Sequence, residues 1–264
     1  MKVNLPLSSG KSALLRLHAA ILSGLRYAGC LSVFILTGQQ PRLVLPVGHA
    51  AALQSAVFSV DGKQIITGGW DRTVRVWEAE SGNELQVLEG HTSIVRSIAQ
   101  SPDGRFLASS SLDSTVRIWD YTAGKNLHIL RGHSANVATA VFSPDGRKVL
   151  TASWDHTARL WDVAEGKELR VFQGHTDWLF SAVFSKDGTR ILTGSRDGTA
   201  RLWDANTGNM LLVLKGHTQA VESALFSPDG LWVLTTGWDK TARLWDAKTG
   251  RELRQFSGHA GYVR

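Results

Sequence analysis

One pattern recurs five times in strict phase along this chain, and it limits the possible folds more than any other feature. A Gly-His pair places histidines at His49, His91, His133, His175, His217 and His259, each 42 residues after the last. A tryptophan follows 28 residues after each of the first five: Trp77, Trp119, Trp161, Trp203 and Trp245. Six residues before each tryptophan stands an aspartate: Asp71, Asp113, Asp155, Asp197 and Asp239. Four residues before each aspartate stands a hydroxyl: Thr67, Ser109, Thr151, Thr193 and Thr235. Four residue types held in register over five copies define a repeat protein, whose unit is one supersecondary element that buries its apolar face only against its neighbours.

Each unit reads as four short strands. In the fourth repeat, LFSAVFS (179–185) alternates and is rich in β-formers, and the KDGT that follows is an Asp-Gly turn. RILTGS, TARLWDA and MLLVLKGH supply three more strands, separated by RDG and NTG. Three repeats carry SPDG at the first turn, where Pro presets one dihedral and Gly accepts a positive φ. No stretch of 49–264 shows a helical period, so the fold class is all-β.

In these residues the chain resembles the WD-repeat (Trp-Asp repeat) β-propeller family, over about residues 48–259. The resemblance implies four-stranded antiparallel blades arranged around a channel. The expected blades span about 50–90, 91–132, 133–174, 175–216 and 217–257 of a repeat domain covering 39–264, behind a basic and apolar segment, 1–38. Glu78 stands where the family has Asp after Trp, and Val60 and Lys186 replace the turn proline.

Ring closure does not add up from the sequence. GHAGYVR (258–264) opens a sixth blade, and PRLVLP (41–46) reads as the outer strand of another, but the middle of that blade is missing. An open sheet edge is a pairing hazard. Three arrangements are compatible with this: a five-bladed or irregular ring, an array completed by another chain, or a fragment of a longer array of bacterial type, the last being preferred. Self-association is expected if the ring is incomplete.

The hydroxyl, histidine and aspartate of each repeat have the composition of a nucleophilic triad. A triad is needed once, however, and this set occurs five times in phase with a tryptophan. Buried polar groups need partners, and the resemblance implies a structural chain from indole to hydroxyl to imidazole to carboxylate. With one cysteine, Cys30, and no short-range ligand pair, no metal site or cofactor is expected. No P-loop and no GxGxxG opening a helix is present, and no enzymatic activity is expected.

Repeat proteins bind where their repeats differ. The resemblance places the residue before each turn aspartate on the top face: Trp70, Leu112, Trp154, Arg196 and Trp238. Positions three and five after each Gly-His histidine lie there too: Ala52, Ile94, Asn136, Trp178 and Ala220, then Gln54, Arg96, Ala138, Phe180 and Glu222. Trp and Arg dominate binding hot spots. The candidate partner-binding set is therefore Trp70, Arg96, Trp154, Trp178, Phe180, Arg196, Glu222 and Trp238. Trp178, Phe180, Arg96 and Arg196 are the sharper candidates. Trp70, Trp154 and Trp238 recur in alternate repeats and have blade-covering as their competing role.

The expected function is a non-catalytic platform for a protein or peptide. The alternative is a sensor or regulatory module of a larger NTPase, kinase or protease. A nucleic-acid role is not expected. Of the +6 net charge, five basic residues (Lys2, Lys11, Arg16, Arg26 and Arg42) fall in 1–47 without an acid, and the remainder balances 24 basic against 23 acidic residues. Residues 19–37 carry Arg26 as their one charge and could just span a bilayer, although a central arginine costs about 2.5–3.5 kcal/mol on insertion scales. A cytoplasmic location is the first expectation, and a membrane-anchored or exported one through that segment is the alternative.

Overall fold

The alternating apolar pattern of each repeat folds as four antiparallel strands. The computed structural model describes residues 48–263 and contains five such sheets. The first holds β1 (Leu53–Phe58), β2 (Gln64–Gly69), β3 (Val74–Glu78) and β4 (Glu84–Leu88). The second holds β5 (Val95–Gln100), β6 (Phe106–Ser111), β7 (Val116–Asp120) and β8 (Lys125–Leu130). The third holds β9 (Val137–Phe142), β10 (Lys148–Ser153), β11 (Ala158–Asp162) and β12 (Glu168–Phe172). The fourth holds β13 (Leu179–Phe184), β14 (Arg190–Ser195), β15 (Thr199–Asp204) and β16 (Met210–Lys215), and the fifth β17 (Val221–Phe226), β18 (Trp232–Gly237), β19 (Ala242–Asp246) and β20 (Glu252–Phe256). Expectations for 1–38, including the membrane or signal reading of 19–37, and for the strand at 41–46 lie outside the described residues. Residues 258–263, expected to open a sixth blade, form no strand.

Local chemistry accounts for the turns. In the first turn of each blade a serine hydroxyl donates to the aspartate two residues on and accepts the backbone N–H five residues on, as Ser59 does with Asp61 and Gln64. The following glycine takes a positive φ, 69° at Gly62 and 71° at Gly188. Those two blades lack the turn proline, yet their glycine geometry matches that of Gly104, at 73°. The serine–aspartate pair closes the turn without it. A register shift beside the tryptophan, between the third and fourth strands, recurs in all five sheets. Such a bulge re-aims the side chain next to it.

Each blade has two faces, and the core lies between blades. The forward face of one blade meets the rear face of the next, which carries the repeat tryptophan. Leu150, Leu160 and Phe172 of the third blade pack with Leu179, Ile191 and Trp203 of the fourth. The first and second, second and third, and fourth and fifth blades join in the same way. Approach is close. A Cβ on Gly68 would lie 2.6 Å from Val95 Cγ1 of the next blade. The inner strands contact in the series β1, β5, β9, β13, β17, and among the described residues the sheets do not close, since β17 is not packed on β1.

Position on this stack sets the cost of a truncation. Phe172→Ala, deep between blades three and four, is expected to cost about 3–5 kcal/mol. Leu169→Ala, three residues away and 47% exposed, should change stability by no more than about 0.5 kcal/mol. Denaturant titration of both variants measures the difference.

Candidate functional site

The repeat tryptophan brings an indole N–H into an apolar interface, and that N–H must find an acceptor. In every blade the acceptor is the hydroxyl on the second strand, at 2.6–3.0 Å. The same hydroxyl lies 2.7–2.8 Å from the histidine Nε2. The histidine Nδ1 in turn sits 2.7–2.9 Å from the aspartate. The two ends of the chain have fixed directions. Trp N–H donates to the hydroxyl and Nδ1–H donates to the carboxylate, and the hydroxyl and Nε2 share the hydrogen bond between them. The sets are His49–Thr67–Asp71–Trp77, His91–Ser109–Asp113–Trp119, His133–Thr151–Asp155–Trp161, His175–Thr193–Asp197–Trp203 and His217–Thr235–Asp239–Trp245.

The electrostatics agree with those directions. Burial alone would raise the Asp155 carboxyl, but the His133 and Thr157 hydrogen bonds outweigh it and hold it well below the usual carboxylate range. Asp113 and Asp197 are lowered in the same way. Burial pushes His175 and His217 below the ordinary imidazole value, against the pull of Asp197 and Asp239. The order of atoms matches a hydrolytic triad, yet the hydroxyls of Ser109, Thr151, Thr193 and Thr235 are fully buried and already accept the indole N–H. They are closed to a substrate carbonyl from solvent. Among the described residues no group of three or more His, Cys, Asp or Glu is placed to hold a metal ion.

The aspartate also fixes the turn that follows the second strand. Asp155 accepts from the Thr157 hydroxyl at 2.6 Å, from the Thr157 N–H at 3.0 Å and from the Ser134 N–H at 3.1 Å. This turn places Arg72, Ser114, His156 and Lys240 at φ between 65° and 71°, and Gly198 at 80°. The residue before each aspartate then donates its N–H to the carbonyl three residues past the Gly-His histidine: Trp70 to Ala52, Leu112 to Ile94, Trp154 to Asn136, Arg196 to Trp178 and Trp238 to Ala220. The two kinds of top-face position are therefore backbone partners within each blade.

Across blades three to five these positions form an aromatic ledge. Trp154 and Trp178 stack face to face, with centroids 4.4 Å apart and planes within 8°. The exposed Arg196 guanidinium lies over Trp178 at 4.6 Å and 3.8 Å from Asp177. Phe180 stacks on Trp238 at 5.6 Å, and Trp238 stacks on Tyr262 at 5.3 Å. Glu222 accepts the Trp238 indole N–H at 2.7 Å. Arg96 stands apart, donating to Gln54 at 2.8 Å, and the exposed Trp70 has no stacking partner among the described residues. Tyr262 was not among the sequence candidates. Its signal was nonetheless present, because it stands three residues after His259, the offset that Trp178 has from His175.

Comparison with known proteins agrees with this geometry. The family model described as WD domain, G-beta repeat matches residues 39–78, 82–120, 124–162, 166–204 and 208–246. Over 43 residues the chain is 46% identical to an uncharacterized WD repeat-containing protein of Synechocystis sp.. That alignment covers 16% of this chain and 12% of the relative's length.

Two predictions follow from the buried relay. Asp155→Asn replaces one acceptor oxygen with an NH2 donor that faces other donors, and should cost about 1–3 kcal/mol in a denaturant melt, against wild type. Stability should also fall on mild acidification. The unfolded chain takes up protons at His175 and His217 near pH 6.5 while the folded chain resists, so stability is full above that pH and declines below it, by at most about 2 kcal/mol per histidine at pH 5. The lowered aspartates add a second decline below about pH 4. Thermal melts at pH 7, 5 and 3.5 read both steps.

Proposed function

Because the chain belongs to the WD-repeat family, whose domains are typically non-catalytic scaffolds that bind protein partners, we propose that it captures a peptide segment on the aromatic ledge of blades three to five. The observation that carries this reading is the sandwich of Trp154, Trp178 and Arg196. Aromatic and arginine side chains are the ones that most often anchor binding. Here they are stacked in advance, which lowers the ordering cost on association. Arg196 has its guanidinium over an indole and a long contact to Asp177, so its edge can take a partner carboxylate. The preferred ligand is a segment with an aromatic or aliphatic anchor beside an acidic residue. Tyr262 extends the same surface past Trp238.

Selection of a displayed peptide library on the full chain tests this. Enriched peptides should carry that anchor-plus-acid pattern. The double variant Trp178→Ala, Arg196→Ala should lose them by about thirtyfold or more, equivalent to about 2 kcal/mol, while remaining folded, with stability lowered by about the 0.5–1.5 kcal/mol of the lost stack. Trp70→Ala, away from the ledge, should bind as wild type. Equal binding by the double variant would remove the ledge as the site.

A further inference from the structure

The four interfaces between blades are copies of one interface, and among the described residues side chains of both of its halves are also found partly exposed at the ends of the stack. On the forward face, Ile66, Ala108, Leu150 and Leu192 occupy one repeat position and are completely buried, and Leu88, Leu130, Phe172 and Leu214 occupy another and are at most 2% exposed. In the fifth blade those positions are Leu234, 37% exposed, and Phe256, 43% exposed. Leu225 and Trp232 lie on the same face, 50% and 46% exposed. Trp232 stands where the fourth blade has Arg190, whose guanidinium covers Phe226 of the next blade at 5.1 Å. On the rear face, Val95, Val137, Leu179 and Val221 are at most 1% exposed, and their counterpart in the first blade, Leu53, is 47% exposed.

We propose that the forward face of blade five docks the rear face of blade one of a second copy of this chain. Four large apolar side chains exposed together on one sheet face form a patch of the kind that marks an interaction site, unlike scattered single residues. The partner's chemistry follows from the internal interfaces. Every covered forward face meets a rear face bearing an aliphatic residue at the Leu53 position and the repeat tryptophan. Two forward faces brought together would lack the repeat tryptophan that every covered forward face receives, so the contact is head-to-tail. Such a contact between identical chains closes into a ring or propagates. Tyr262 and Val263 hold the corner that Ala52 and Leu53 of the second copy would take. Val263 N–H donates to the Gly237 carbonyl at 3.2 Å, and docking displaces this short segment.

The test uses the full chain and two blocked variants, with mass measured by light scattering during gel filtration. Leu234→Asp with Phe256→Asp blocks the forward face, and Leu53→Asp blocks the rear. Wild type is expected at twice the 28.8 kDa chain mass or more. Each blocked variant alone is expected as a monomer. An equimolar mixture of the two should regain a dimer, because one variant keeps its rear face and the other its forward face. A monomeric wild type at about 100 μM, where Kd values of tens of micromolar still register, overturns the proposal. So does a rear-blocked variant that still dimerises alone, or a mixture that stays monomeric. A monomer whose β18–β20 amides resist hydrogen exchange would show the face covered from within one chain, which also overturns it. If the forward-blocked variant does not fold, Leu225→Asp with Trp232→Asp replaces it.

Discussion

Each blade is organised around one buried indole N–H. The tryptophan fills the rear face and provides much of the contact with the preceding blade, but its N–H would be stranded there. Satisfying it recruits a hydroxyl on the second strand, the hydroxyl recruits the imidazole, and the imidazole recruits a carboxylate at the far end. The carboxylate then uses its remaining capacity on the turn, taking the Thr157 N–H and hydroxyl and the Ser134 N–H in the third blade. One hydrogen-bonded chain thus links the packing between blades to the conformation of the surface turn. The residue before that aspartate carries the candidate binding side chain. The turns that carry the ledge are thus tied to the core by hydrogen bonds.

That coupling explains which features could be read in advance. The relay joins residues 22, 18 and 10 positions apart, all inside one repeat, so a pattern copied five times exposes every member of it. The strands and turns are equally local. The pairing of the two top-face positions in each blade also lies within one repeat, and Trp154 with Asn136 or Arg196 with Trp178 follows from it. Stacking does not. It joins the turn residue of one blade to a residue of the next, so it depends on how adjacent blades sit. Trp154 stacks because an aromatic, Trp178, follows 24 residues later, and Trp238 stacks on Tyr262 at the same offset. The residue 24 positions after Trp70 is Ile94, and Trp70 stays unstacked. The open faces were the least legible feature. Leu234 and Phe256 obey the same apolar pattern as their buried counterparts, and only the arrangement of the blades distinguishes them.

The ledge and the open face are separate surfaces of the same blades. The ledge is built on turns at the strand ends, whereas the open face is the flat of a sheet. They meet only at Tyr262 and Val263, where the aromatic run along the ledge reaches the corner that a docking blade would occupy. Association there would exchange the Trp238–Tyr262 stack for a contact with Ala52. A stacked aromatic pair contributes about 0.5–1.5 kcal/mol, and the four side chains that docking would cover are 37–50% exposed. Docking of a second copy would shorten the ledge at its fifth-blade end and leave Trp154, Trp178 and Arg196 unchanged.

Whether those tryptophans merely cover the blade tops can be argued from one atom. Leu112 occupies the turn position in the second blade and makes the same backbone hydrogen bond, to the Ile94 carbonyl at 3.0 Å. The turn therefore forms without a tryptophan, with Leu112 here and with Arg196 in the fourth blade. Trp154 has its Nε1–H buried without an acceptor among the described residues. An unsatisfied buried donor costs about 1–3 kcal/mol, which the stack with Trp178 offsets only in part at about 0.5–1.5 kcal/mol. A cap alone would not require that expense when leucine serves. The tryptophan is better accounted for by the broad, pre-stacked surface it forms with Trp178 and Arg196, and local rules of this kind are most often broken where a protein binds something.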